Sequence, residues 1–140
     1  MLGDGVMAVG ALLLPVNAAQ RLELLAGDCL QADETPVGVP SPDAPKGQSH
    51  RAWQWQYSLP GGPGVFDFQM SRGRAGPAAF LQHYRGVVQT DAYSTYDSVM
   101  GPKMIHAGCW AHARRKFHEA HQLDPADALA REVLERIGRL

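Results

Sequence analysis

The sequence has little cysteine and almost no net charge. Two cysteines among 140 residues, Cys29 and Cys109, do not indicate a disulfide framework, so we expect a reducing, cytoplasmic location. A net charge of -1 at pH 7 excludes a global electrostatic attraction to nucleic acid, and any such contact must come from local basic patches. The composition, 45% hydrophobic and 19% charged, is nevertheless that of a globular chain.

The N-terminus lacks the positive charges of a secretory signal peptide. Residues 1–16 are apolar, contain Asp4 and include no Lys or Arg. This run is shorter than the roughly 20 residues that a membrane-spanning helix needs. We therefore expect a soluble segment and no membrane partner. Good helix formers over residues 17–26 predict a helix, which completes an N-terminal helical segment at residues 1–27.

Short apolar runs in the middle of the chain predict strands. Residues 28–33 and 86–90 are the clearest of these, and residues 103–107 form a weaker one. Residues 36–47 contain four prolines, which favours a loop.

The clearest pattern is an alternation of aromatic and polar residues over positions 53–58. Positions 65–70 alternate in the same way, and a Gly- and Pro-rich turn at positions 59–64 joins the two runs. A period of two indicates half-buried strands, so we predict a β-hairpin with its large apolar side chains on one face. These side chains are Trp53, Trp55, Tyr57, Phe66, Phe68 and Met70.

Helical patterns separate and follow the later strands. They cover residues 77–84, 93–100, 110–123 and 127–140. The order of strand, hairpin, helix, strand, short helix, strand and helix predicts an α/β fold, in which helices lie against a mixed sheet. The ribonuclease H-like fold has this order, and in that fold acids end the first and fourth strands, which are neighbours.

Two acids fall at those two places. Asp33 ends the first predicted strand and Asp91 directly follows the fourth. Alone, each also suits a turn or a helix cap, but two carboxylates held side by side repel each other unless a divalent cation binds them. The pair therefore favours a metal site for phosphoryl transfer on nucleic acid. Glu34 points to the opposite face if the strand continues, and we expect it to be solvated or structural.

Three segments in order resemble the insertion sequence 66 family of bacterial transposases. Residues 31–37 are similar to the first-acid motif of that family, and residues 88–93, followed by Tyr96, to its second-acid motif. Residues 109–117 are similar to the block that follows the next strand. The likeness extends from about Leu12 to the C-terminus.

The resemblance implies a DDE-type recombinase, which cuts and joins DNA with two divalent ions, Mg²⁺ or Mn²⁺. Asp33 and Asp91 would be the catalytic acids and metal ligands. DNA would be the partner, together with other transposase subunits or accessory proteins of the mobile element.

The third acid of the family lies downstream, after a helical insertion. We therefore expect residues 28–122 to be an incomplete ribonuclease H-like core and residues 123–140 to begin that insertion. Among the late acids Glu119 is the best substitute, because its helix directly follows a core strand. The chain would be a truncated transposase, or alternatively a catalytically inactive remnant that binds DNA or a transposase partner.

Basic and metal-ligating residues leave two further questions open. Arg114, Arg115 and Lys116 could contact DNA phosphates, with Lys46 and Arg51 as additional contacts, or they could form a solvated helix face. A third reading of the chain is a small zinc-binding module centred on Cys109. In that reading His106 and His112 would supply further ligands at a spacing of three residues.

Overall fold

The structure is a computed structural model that describes residues 2–40, 45 and 47–140. Its helices are α1 (Leu2–Ala26), α2 (Ala75–Leu81), α3 (Ser94–Asp97), α4 (Trp110–Leu123) and α5 (Ala128–Ile137). Its strands are β1 (Cys29–Pro40), β2 (Ser49–Ser58), β3 (Gly64–Gln69), β4 (Gly86–Thr90) and β5 (Met104–Gly108). The predicted α/β class is confirmed, and so is the predicted order of the elements.

One mixed sheet organises the chain, with its strands in the order β3-β2-β1-β4-β5. β1 pairs with β2 and β2 with β3 in antiparallel fashion, whereas β4 lies parallel to both β1 and β5. β1 and β4 are therefore neighbours, as the two-acid hypothesis requires. The crossovers contain helices, as parallel connections in a sheet require.

β1 is twice as long as predicted, and the loop expected to begin at Pro36 is wrong for its first five residues. Pro36 lies opposite Trp53 and Pro40 opposite Ser49 in the ladder with β2. Proline is tolerated there because β1 pairs with β4 only over Cys29–Gln31, and beyond that point no other described strand pairs with this edge of β1. Asp33 consequently lies within a strand and not at its end. The rest of the predicted loop includes residues 41–44 and 46, which lie outside the described residues.

The aromatic hairpin forms, but its predicted pairing of faces is wrong. Trp55 lies opposite Asp67 and Tyr57 opposite Val65, so the β2 aromatics share a face with Val65. Phe66 and Phe68 point to the other face and are 57% and 51% exposed. A shift of one residue exchanges the faces of a strand, and the turn sets that register.

The core lies on the face of the sheet that carries Trp55 and Tyr57. Leu24 from the last turns of α1, Phe80 from α2 and Tyr96 from α3 cover this face. The Tyr57 and Phe80 rings stack with their centroids 3.6 Å apart. The buried apolar cluster comprises Leu24, Leu30, Ala32, Trp55, Tyr57, Val65, Phe80, Leu81, Tyr84, Val88 and Tyr96.

α1 is one continuous helix over Leu2–Ala26. It is exposed over most of its length, with Met7 at 75% and Leu12 at 77%. The stretch Gly3–Ala26 is long and apolar enough to cross a membrane, with a mean hydropathy of 1.3. This differs from the prediction, which considered residues 1–16 alone. Signal sequences and the core helices of soluble proteins share this length and composition.

α4 and α5 pack on each other and not on the sheet core. No described residue of α4 is buried, so the apolar side chains of this helix, from Trp110 to Ala120, do not enter the core. Asp127 caps α5, because its carboxylate accepts hydrogen bonds from the N–H groups of Leu129 and Ala130.

Candidate active site

β1 and β4 bring the two predicted acids to one end of the parallel pair. Gln31 of β1 is in register with Gln89 of β4, and the Gln31 Nε2 donates a hydrogen bond of 2.8 Å to the Gln89 Oε1. These two side chains therefore share a face of the sheet. Asp33 follows Gln31 by two residues within β1, so its side chain lies on the same face as that of Gln31, opposite the core. Asp91 follows Gln89 by two residues and comes directly after the end of β4.

Asp33 is half exposed and is held by two neighbours. Its Oδ1 accepts a hydrogen bond of 2.9 Å from the backbone N–H of Glu34. Its Oδ2 lies 3.7 Å from the Nε2 of His112, which is the third residue of α4. That separation is too long for a hydrogen bond but short enough for an ion pair with a protonated imidazole.

Asp91 directly follows β4 and begins the turn that leads into α3. Its Oδ1 accepts a hydrogen bond of 2.9 Å from the backbone N–H of Tyr93. It lines a groove of about 740 Å³ between this turn and α4. The other residues of the groove are Arg72, Ala92, Tyr93, Asp97, His106, Gly108, Cys109, His112, Ala113, Arg115, Lys116 and Glu119.

Cys109 and His112 connect the surroundings of the two acids. Both line the groove of Asp91 and also a smaller cavity of about 190 Å³ that contains Asp33. Both residues therefore lie between the surroundings of Asp33 and those of Asp91. His112 is the site residue whose role sequence reasoning missed, because only the fold brings it to Asp33.

Glu34 lies on the core face and is structural, not solvated. Its side chain is 1% exposed. The Arg72 Nε donates a hydrogen bond of 2.9 Å to the Glu34 Oε1, and the Tyr96 hydroxyl donates one of 3.0 Å to the Oε2. Both carboxylate oxygens therefore have donors, which compensates for burial of the charge.

The Arg72 guanidinium stacks between two aromatic rings. It lies 3.8 Å from the centroid of the Tyr93 ring and 4.7 Å from that of Trp53. The Tyr93 hydroxyl in turn donates a hydrogen bond of 2.9 Å to the Arg72 carbonyl. These cation–π contacts keep the cation beside Glu34.

Burial shifts the titration of this cluster. Desolvation raises the pKa of the Glu34 carboxyl above its ordinary value, while the hydrogen bonds from Arg72 and Tyr96 act in the opposite direction. Burial, reinforced by the Glu34 charge, also raises the pKa of the Tyr96 hydroxyl. Tyr96 therefore stays a hydrogen-bond donor at neutral pH.

His106 bridges the end of β4 to α3. Its Nε2 lies 2.7 Å from the Thr90 Oγ1, and its Nδ1 lies 2.9 Å from the Asp97 Oδ1. Both ring nitrogens are thus engaged away from Cys109. Among the described residues, no three His, Cys, Asp or Glu side chains form a metal-binding group. The zinc-module hypothesis has no support from this part of the chain.

The predicted basic residues divide between the groove and the solvent. Arg115 and Lys116 line the groove that contains Asp91. Arg114 is exposed and is not part of the groove lining. Arg51 lies on β2 with its guanidinium 5.5 Å from the centroid of the Trp53 ring. Lys46 lies outside the described residues.

The family of the chain is shown by a match that covers all of its residues. The sequence matches the profile of the Transposase IS66 family over residues 1–140. The chain belongs to the IS66 family of transposases. This confirms the resemblance seen in the three motifs.

Two curated relatives of this IS66-family chain come from Sinorhizobium fredii (strain NBRC 101917 / NGR234). "Uncharacterized protein y4qI" is 31% identical over 68% of the chain, and "Uncharacterized protein y4hP" is 31% identical over 99% of it. The alignments cover 20% and 29% of those proteins, so the chain spans less than a third of their length. No solved structure matched.

Proposed function

We propose that this IS66-family chain carries the first two acids of a DDE transposase on an incomplete ribonuclease H-like core at residues 28–122. The observation that supports this most is that β1, which contains Asp33, pairs in parallel with β4, which Asp91 directly follows. In this proposal residues 123–140 begin a helical insertion, and the protein acts on DNA in the cytoplasm.

The donor chemistry of the site fits a hard divalent cation. Asp33 and Asp91 supply carboxylate oxygens, which Mg²⁺ and Mn²⁺ prefer, and one oxygen of each is already oriented by a backbone N–H. A pair of such ions would activate the attacking oxygen and stabilise the leaving oxygen of a phosphodiester. The residues of the chain would hold the two carboxylates at a fixed separation and shape the groove for the strand.

His112 and α4 would help to place the substrate. His112 lies beside Asp33, and a protonated imidazole there would offset repulsion between the two carboxylates. Arg115 and Lys116 line the same groove as Asp91, so a phosphate bound at the acids would meet both cations. The groove therefore combines the Asp91 carboxylate with positive charge on one wall.

Metal binding is the first test. We expect the purified chain to bind Mn²⁺, as measured by the loss of the free-ion signal in electron paramagnetic resonance. Asp33→Asn and Asp91→Asn should each weaken this binding at least tenfold, because a neutral amide replaces a charged ligand. Glu135→Gln on α5 removes an exposed acid away from the groove and is the matched control. Equal Mn²⁺ affinity in all four proteins would contradict the proposal.

Among the acids that follow β5, Glu119 is the best placed to act as the third catalytic acid. It lines the groove with Asp91, although its carboxylate accepts a hydrogen bond of 2.9 Å from the Lys116 Nζ. Because this ion pair turns Glu119 toward solvent-exposed Lys116, we expect no metal-dependent nicking of DNA by the chain. If the chain does nick DNA and Glu119→Gln abolishes the nicking, Glu119 is the third acid. If the chain binds DNA but does not bind Mn²⁺, it is the catalytically inactive remnant.

DNA affinity should depend on the basic wall of the groove. We expect weak, sequence-independent binding that falls steeply with salt, because each phosphate contact releases counterions. Arg115→Ala with Lys116→Ala should flatten the plot of log affinity against log salt by about 2 in slope, since each lost contact accounts for about 0.9.

The matched control for that experiment removes the same charge elsewhere. Arg131→Ala with Arg139→Ala takes two exposed cations from the α5 end of the chain, outside the groove lining. Fluorescence anisotropy with a labelled duplex at several salt concentrations measures both variants. If the two double variants reduce the slope of log affinity against log salt by the same amount, the groove has no special part in binding DNA.

A further inference from the structure

We propose that Glu34 is a positioning residue: acting from the core face through Tyr96, Arg72 and Tyr93, it fixes the orientation of the Asp91 carboxylate. The catalytic meaning of this inference rests on the proposed function. The geometric part, that Glu34 fixes the turn carrying Asp91, stands on contacts within the chain.

The first step is the binding of two separate segments by one buried carboxylate. Glu34 accepts from the Arg72 side chain, in the segment between β3 and α2, and from the Tyr96 hydroxyl of α3. Neither partner is near it in sequence, since they lie 38 and 62 residues away. The carboxylate thus joins β1 to both segments that enclose the Asp91 turn.

The second step leads from Arg72 to Tyr93. The guanidinium lies 3.8 Å from the centroid of the Tyr93 ring, and the Tyr93 hydroxyl donates to the Arg72 carbonyl. Two contacts of different kinds therefore fix the ring against this residue. The Tyr93 and Tyr96 rings also meet edge to face, with centroids 6.3 Å apart.

The third step leads from Tyr93 to the acid itself. The backbone N–H of Tyr93 donates the 2.9 Å hydrogen bond to the Asp91 Oδ1. Because the ring of Tyr93 is fixed, its N–H is fixed, and the orientation of the Asp91 carboxylate follows. Groups that orient a metal ligand in this way commonly change metal affinity 10-fold to 100-fold when they are removed.

The adjacency of Asp33 and Glu34 makes this arrangement specific. Consecutive strand residues point to opposite faces, so Asp33 enters the proposed metal site while Glu34 enters the core. The same two residues therefore supply one acid and hold the other. A carboxylate that served only the core would be replaceable by an apolar residue, whereas one that orients Asp91 is not.

Tyr96→Phe is the sharpest test, because it removes the hydroxyl donated to Glu34 and leaves the ring in place. Two readouts are needed in the full chain: the Mn²⁺ dissociation constant, and the amide proton of Tyr93 in ¹⁵N-resolved NMR. We expect Mn²⁺ binding to weaken roughly tenfold. We also expect an upfield shift of the Tyr93 amide proton with faster exchange, as its bond to Asp91 loosens.

Tyr84→Phe is the matched control. It also removes a hydroxyl from a buried tyrosine, one that donates to the Val87 carbonyl near the start of β4. A merely structural effect would lower the melting temperature of both variants and change neither readout of the site. If Tyr96→Phe does not fold, Tyr93→Phe removes the next bond of the chain of contacts at a less buried ring.

The outcomes separate this inference from the proposed function. Mn²⁺ binding that depends on Asp33 and Asp91 but is unchanged in Tyr96→Phe and Tyr93→Phe would overturn the inference alone. Absence of Mn²⁺ binding by the unmodified chain would overturn the proposed function, and the Tyr93 amide would then decide the geometric part. An unchanged Tyr93 amide in Tyr96→Phe would refute that part as well.

Discussion

Trp55→Ala should lower the free energy of unfolding by about 3–5 kcal/mol, as truncation of a buried tryptophan usually does. Trp55 is fully buried at the centre of the sheet, with its ring edge to face with Tyr96 at a centroid distance of 5.8 Å. Truncation would leave a cavity beneath Glu34, its partner across the β1–β2 ladder. Urea unfolding followed by circular dichroism measures the loss.

Phe66→Ala is the control for this change. Phe66 is an aromatic residue of the same hairpin, but it lies on the opposite face and is 57% exposed. We expect its truncation to change stability by about 0.5 kcal/mol or less. Equal losses in the two variants would mean that both faces of the hairpin are covered in solution, and the assignment of the core face would be wrong.

Arg72→Met should cost about 3 kcal/mol of stability, because it leaves the buried Glu34 carboxylate without its cation. We expect the lower end of the range for a broken buried pair, since the Arg72 side chain is 39% exposed. Methionine preserves the aliphatic stem, so the loss reports on the guanidinium. The same urea titration measures it.

Two further variants make the test decisive. Arg74→Met removes an exposed arginine two residues away and should be nearly neutral. Glu34→Leu combined with Arg72→Met removes both charges and should be more stable than Arg72→Met alone, since no uncompensated charge remains. If the double variant is the least stable of the three, the cost lies in packing and not in the unpaired carboxylate.

Local patterns predicted the elements better than their extents. The period-two alternation identified β2 and its buried face, because Trp55 and Tyr57 must be covered. The same alternation gave the wrong face for Phe66 and Phe68, since the register of a hairpin depends on turn geometry that these residues do not encode. The prolines of β1 led to a loop being predicted where the strand continues. Proline is excluded from a strand edge that pairs with a neighbour through its N–H groups, but it is tolerated where that edge is open.

The candidate site was predictable only in part. The adjacency of β1, which contains Asp33, and β4, which precedes Asp91, was predictable, because the order of elements indicated which strands are neighbours. The contacts of Glu34 with Arg72 and Tyr96 could not, since nothing local to these residues signals a meeting over 38 and 62 positions. The period-two rule did give the direction of Glu34, and that was the available signal.

The opposite orientations of Asp33 and Glu34 have a consequence for how β1 can vary. A deletion or insertion of one residue between Cys29 and Asp33 would exchange the destinations of the two acids, sending Glu34 toward the groove and Asp33 into the core. Aspartate, one methylene shorter, would then have to reach Arg72 and Tyr96. In a library that combines substitutions with single-codon indels, we expect this stretch to accept several conservative replacements and no change of length. A single-codon insertion or deletion keeps the reading frame but exchanges the faces to which the following side chains point. In this part of β1 it is that alternation of faces which is constrained.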